Sequence, residues 1–189
     1  MRVPSVMAVG LAVLFEASAG AQTPAGAPET FSATAEVKTA SGPISASIQI
    51  HIQRYTLDFD RKTLESALEH GGYASFVSAL RKVPEVGSVA VGDGQFAVRY
   101  AREQQTAKGR TIVIVTDKAV FFVGGARANA KPRAGYESAL IQLVVDAAGA
   151  GSGTMAGAAR VKPGGETGVR IDSYAEEPIA LTKVTRKTP

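Results

Sequence analysis

The clearest pattern in the chain runs from Ile44 to Gln53. Ile44, Ala46, Ile48, Ile50 and Ile52 alternate there with Ser45, Ser47, Gln49, His51 and Gln53. A period of two, with β-branched residues on one side, predicts a strand with one buried and one wet face. Thr34–Ala40 reads as its partner, joined through the turn residues Ser41-Gly42-Pro43. Over Asp58–Lys82 the period changes. Leu64, Ala67 and Leu68 form one apolar stripe, which Gly71-Gly72 stops. Tyr73, Phe76, Val77 and Leu80 form a second stripe at helical spacing, which ends before Pro84. This predicts a hairpin of two short helices, with Asp58 or Asp60 capping the first.

Beyond Pro84 the strand signal returns and persists. Ser88–Val91 and Gln95–Arg102 flank Asp93-Gly94, which predicts a tight hairpin with a type I′ turn. Arg110–Thr116 and Ala119–Val123 are apolar on both faces, so both are expected as central strands between the helical hairpin and the core. Tyr136–Asp146, Gly153–Lys162, Gly168–Ser173 and Pro178–Arg186 follow, separated by glycine-rich turns. Roughly nine short strands at ~10-residue spacing favour an antiparallel arrangement. The fold class is therefore α+β, mainly β: an antiparallel β-barrel or sandwich with an inserted helical hairpin. Neither βαβ units nor an internal repeat is visible.

The N-terminus has the order of a secretory signal. Arg2 precedes the uninterrupted apolar run Val6–Phe15, and the small residues Ala17–Ala21 follow Glu16. Ala19 and Ala21 suit the two positions before the cut, placing cleavage after Ala21. The apolar run would span ~15 Å as a helix, half of a ~30 Å hydrocarbon core, which argues against an uncleaved anchor. The chain thus divides into a signal peptide (1–21), a flexible leader (22–30) rich in small residues and proline, and a single β-rich domain (31–187). Periplasmic or secreted localisation is expected. Cleavage removes Arg2 and Glu16 together and leaves the net charge at +4.

Composition then removes whole classes of chemistry. The 189 residues are 45% hydrophobic and 20% charged, as in an ordinary globular domain. There is no cysteine, hence no disulfide, thiolate nucleophile or thiolate metal site, and the mature protein must be held by its core. Two histidines do not make a His-rich metal site. A mean hydropathy of +0.05 predicts no stable membrane insertion. The basic excess is mild and scattered, so no nucleic-acid partner is expected.

Each candidate for chemistry competes with a structural explanation. Gly149–Gly153, with Asp172 downstream, resembles part of a dinucleotide fingerprint, but Met155, Gly157, Ala159 and Val161 alternate as a strand. A glycine-rich hairpin is the better reading. His70, before Gly71-Gly72, suits a helix C-terminus. Asp58 with Asp60, and Glu176 with Glu177, are adjacent only in sequence, which is no evidence of paired-acid catalysis. His51 would touch a ligand if its face of the strand lined a barrel cavity. The most suggestive stretch is Gly124–Gly135, which carries Arg127, Lys131 and Arg133 with no acid and is closed by Tyr136. Long loops are disproportionately functional, and cations beside an aromatic ring suit an anionic ligand.

Gly109–Gly125 and Gly153–Thr185 resemble segments of small exported proteins of uncharacterised bacterial families. The resemblance implies export and assigns no residue a role. The leading expectation is an exported, non-catalytic binding or envelope-accessory protein holding a small apolar or anionic ligand. Arg127, Lys131, Arg133, Tyr136 and His51 are its candidate contacts, and neither a metal nor a cofactor is expected. The alternatives are a periplasmic hydrolase assembled from carboxylates and His51, and a protein-interaction module using a sheet edge.

Overall fold

The computed structural model describes residues 28–39, 42–121 and 131–187. In chain order it contains β1 (Glu29–Thr39), β2 (Gly42–Ile52), α1 (Asp58–Leu80), β3 (Gly87–Val91) and β4 (Gly94–Thr106). There follow β5 (Gly109–Thr116), β6 (Ser138–Val145), β7 (Ala150–Pro163), β8 (Val169–Tyr174) and β9 (Ile179–Lys187). The strands neighbour one another as β6-β5-β4-β3-β2-β1-β9-β7, and β7 returns to pair with β6. This closes an eight-stranded antiparallel barrel, and β8 lies outside it, paired with the far end of β7. Of the two architectures that the strand pattern allows, the chain takes the barrel.

Alternation explains how the barrel fills. Ile48, Ile50 and Ile52 on β2 point inward with Phe31, Ala33 and Ala35 of β1, Val89 and Val91 of β3, and Ile112 and Ile114 of β5. An eight-stranded barrel is just wide enough for such side chains to fill it. The β2 stripe ends before the strand does, for Ile44 is 39% exposed.

A second apolar layer lies outside the barrel. Leu64, Leu68, Tyr73, Phe76, Val77 and Leu80 of α1 pack on Tyr100, Val113, Val115, Leu140, Ala159 and Val161. That is why β5 reads as apolar on both faces. Its even-numbered isoleucines face the lumen, and Val113 and Val115 lie under the helix. The helix breaks at Gly72 (φ 68°, ψ −169°), a conformation open to glycine and strained for other residues. Phe59 and Thr63 from one half, and Ser75, Ser78 and Ala79 from the other, line one groove, as side-by-side halves would.

Several local expectations are corrected. β1 takes in Glu29 and Thr30, which composition assigned to the leader. Neither Asp58 nor Asp60 is the helix cap. Leu57 occupies that position without a side-chain bond, and both acids lie in the first turn, where they still meet the positive end of the helix dipole. The β3–β4 turn is Gly92-Asp93, with positive φ at Gly92 (56°), the pattern of a type II′ turn rather than I′. Ala119–Val123 does not form the expected strand over its described residues. Both edges of β5 are already taken by β4 and β6, and Val120 instead donates its N–H to Gly157 O at 2.7 Å.

Candidate functional site

Two polar constellations stand out against this frame. The first closes one end of the barrel. Glu29, Glu103, Arg110 and Arg186 continue inward-facing rows of otherwise apolar residues. Arg110 donates through Nη2 to Glu29 Oε1 at 2.7 Å and through Nη1 to Glu103 Oε2 at 2.6 Å. Arg186 adds a 3.3 Å bond to Glu29, and the Tyr55 hydroxyl donates to the other Glu29 oxygen at 3.0 Å. The guanidinium of Arg110 also covers the Phe31 ring at 5.9 Å. Burial works against ionisation of Glu29, but the hydrogen bond and charge of Arg110, with Tyr55 and Arg186, outweigh it and hold its pKa below the ordinary value. Burial and the neighbouring carboxylates push the Tyr55 hydroxyl up. Each charge here has a partner, which suits a closure of the apolar lumen better than a binding site.

The second constellation is open. The flank of the second half of α1 and the segment before β6 enclose a groove of about 460 Å³, lined by Tyr73, Val77, Arg81, Lys82, Gly135 and Glu137, among others. The helix lies there because Tyr73 anchors it. Its hydroxyl donates to Ala159 O at 2.9 Å and accepts the N–H groups of Glu137 and Ser138 at 3.0 and 3.1 Å. Arg81 and Lys82 follow the last helical residue, are exposed, and form no ion pair among the described residues.

Two further cations flank the groove. Arg160 stacks over Tyr73 at 5.8 Å, and Arg133 stacks over Tyr136 at 5.6 Å. Glu137 accepts the Gly135 N–H at 2.9 Å, so its carboxylate is engaged locally. Asp172 offsets part of the positive charge by pairing with Lys162 at 2.9 Å and Arg160 at 3.7 Å. Its pKa is held down by the Lys162 bond first and by the surrounding positive charge next. An apolar floor with guanidinium and ammonium groups at the rim can hold an anion through charge-assisted hydrogen bonds.

The sequence candidates divide accordingly. Arg133 and Tyr136 stand beside the groove, in contact with each other. Lys131 is exposed at the start of the same segment. Arg127 lies outside the described residues. His51 belongs to neither constellation. It is exposed on the outer face of the barrel, its Nδ1 hydrogen-bonded with Thr30 Oγ1 at 3.0 Å, so it does not face the lumen. It has no carboxylate partner among the described residues. His70 bonds the Ser66 carbonyl at 3.0 Å, as its place near a helix end predicts. Gly151 and Gly153 lie within β7, where a Cβ would strike the β6 carbonyls of Val144 and Gln142. The glycine-rich stretch is thus part of a hairpin whose strands approach closely.

Sequence reasoning missed Arg81, Lys82 and Arg160. The signal for the first two was a basic pair directly after an amphipathic stripe and before Pro84. For Arg160 it was a charge directly after the run of small, apolar residues Met155–Ala159. No group of His, Cys, Asp or Glu residues that could hold a metal ion occurs among the described residues.

Compared with known proteins, the chain matches no family model, no curated protein and no solved structure. The groove's own chemistry therefore carries the functional reading.

Proposed function

We propose that this protein is an exported, non-catalytic binding protein of the cell envelope that holds a small anionic ligand in the groove between α1 and the segment before β6. The observation that carries the reading is the pair Arg81 and Lys82, exposed and without carboxylate partners among the described residues, over an apolar floor. Export rests on the pattern of residues 1–21. The apolar-ligand version is less favoured, because the inward-facing side chains pack the lumen and the Glu29–Arg110 network occupies one end.

Titration with inorganic phosphate and with citrate tests the proposal. Binding should weaken as salt rises, and Arg81→Ala with Lys82→Ala and Arg133→Ala should remove it while leaving thermal stability nearly unchanged. The companion replacement of Arg127, Lys131 and Arg133 measures the loop's share. Equal binding by the Arg81, Lys82 and Arg133 variant, or no binding by the natural protein, would overturn the reading.

One observation favours a second reading, the sheet-edge interaction module. β8 pairs with β7 alone and leaves its other edge unpaired among the described strands. Its register shift opposite Arg160 and Val161, and its charged residues Arg170 and Asp172, blunt that edge.

A further inference from the structure

The start of α1 carries an apolar tip that stands exposed among the described residues. Phe59 is 81% exposed and Leu57, two residues before it, is 51% exposed. Phe59 is the most exposed large apolar side chain among the described residues. It lines a shallow groove of about 500 Å³ with Ala79, Val83 and Pro84, whose far wall includes Lys82. Lys82 also lines the basic groove, so the apolar tip and the cations of the proposed anion site form one continuous surface. Lys62 lies one turn along α1 from Phe59, is exposed, and like Arg81 and Lys82 has no ion pair among the described residues. Asp60 is the carboxylate on this groove, and Asp58 beside it is held by Arg61 and Arg102.

We infer that this surface docks on an anionic lipid bilayer, with Phe59 and Leu57 entering the boundary between headgroups and acyl chains while Lys62, Arg81 and Lys82 reach the lipid phosphates. The inference rests on the anion-binding reading and names the source of the anion as the lipid headgroup. Shape and charge both favour it. A protruding aromatic tip is a wedge, and a fluid bilayer accepts a wedge without a matching pocket. Flexible ammonium and guanidinium stems beside such a tip can keep their heads at phosphate depth while their methylenes lie along the apolar layer. Each basic residue near an anionic surface adds attraction that salt screens. No helix among the described residues is long and apolar enough to cross a membrane.

The chain contains no tryptophan, so Phe59→Trp installs a single reporter. Protein purified from the producing cells should co-sediment with phosphatidylcholine vesicles containing phosphatidylglycerol and not with phosphatidylcholine alone. Emission from the introduced indole should shift to the blue only with the anionic vesicles. Leu57→Ser with Phe59→Ser should weaken vesicle binding about tenfold or more, and leave binding of inorganic phosphate unchanged. Binding of phosphate without binding of vesicles would overturn the bilayer inference and leave the anion site standing. Binding of vesicles that ignores the change at Leu57 and Phe59 would overturn the role of the tip, and binding of neither probe would overturn both readings. An emission shift caused by a co-purified protein in the absence of lipid would assign the tip to a protein partner and overturn the inference equally.

Discussion

Arg110 and Glu29, 81 residues apart in the chain, meet at 2.7 Å across one end of the barrel. The side chains of both are 14% exposed, and that of Glu103, which shares the guanidinium, is 16% exposed. Removing the arginine leaves two carboxylates near the mouth of an apolar lumen. Arg110→Ala should therefore cost about 3–5 kcal/mol in denaturant unfolding, far more than an exposed ion pair would. A loss below about 1 kcal/mol would mean that solvent screens the network.

The same network sets an acid limit. The folded-state pKa of Glu29 lies below its ordinary value of 4.5. Its stabilising contribution is thus complete above pH 4.5 and is lost as pH falls through the folded value, because the unfolded state takes up the proton first. Thermal unfolding followed from pH 7 down to pH 3 should show this decline. Glu29→Gln should be less stable than the natural protein at pH 7, and its curve should be flatter below pH 4.5.

Tyr73 ties the helix to the segment that forms the groove. Tyr73→Phe keeps the ring packed against Phe76 and under Arg160, but it leaves the N–H groups of Glu137 and Ser138 without their hydroxyl acceptor and Ala159 O with only the longer Ser138 Oγ bond at 3.3 Å among the side-chain donors described. A loss of about 1–3 kcal/mol is expected. Amide exchange should quicken at Glu137 and Ser138 and stay unchanged at β2.

Lys183 is the one described non-glycine residue with positive φ (50°), at a bulge where β9 shifts register against β1 and β7. A side chain strains that conformation. Lys183→Gly should leave stability unchanged or raise it by about 1 kcal/mol, whereas Lys183→Val should lower it. Chemical denaturation of the pair gives the comparison.

The two faces of β2 should differ sharply. Ile50 is fully buried and His51 exposed, so Ile50→Asp should cost several kcal/mol and His51→Ala under about 0.5 kcal/mol. Similar losses in urea titrations would mean that the strand's register is different.

The strands of strong period, the buried face of β2, the double-sided burial of β5 and the break at Gly71-Gly72 are all legible in the order of residues. Each follows from a local rule: alternation, helical spacing, or a backbone angle that glycine tolerates. The same order places Arg133 and Tyr136 in one connecting segment. Closure is different, because barrel and sandwich share the same alternating strands and differ in one long-range pairing, β6 with β7. With β4 and β6 on its two edges, β5 leaves Ala119–Phe121 outside the sheet. Glu29, Tyr55, Glu103, Arg110 and Arg186 meet at one end of the lumen, although they come from distant parts of the chain. The end of α1 lies beside the segment before β6, giving Arg81 and Lys82 a groove that neither segment has alone. Period reports which way a side chain points and nothing about what faces it, so the constellations that could bind a ligand depend on contacts that only folding creates.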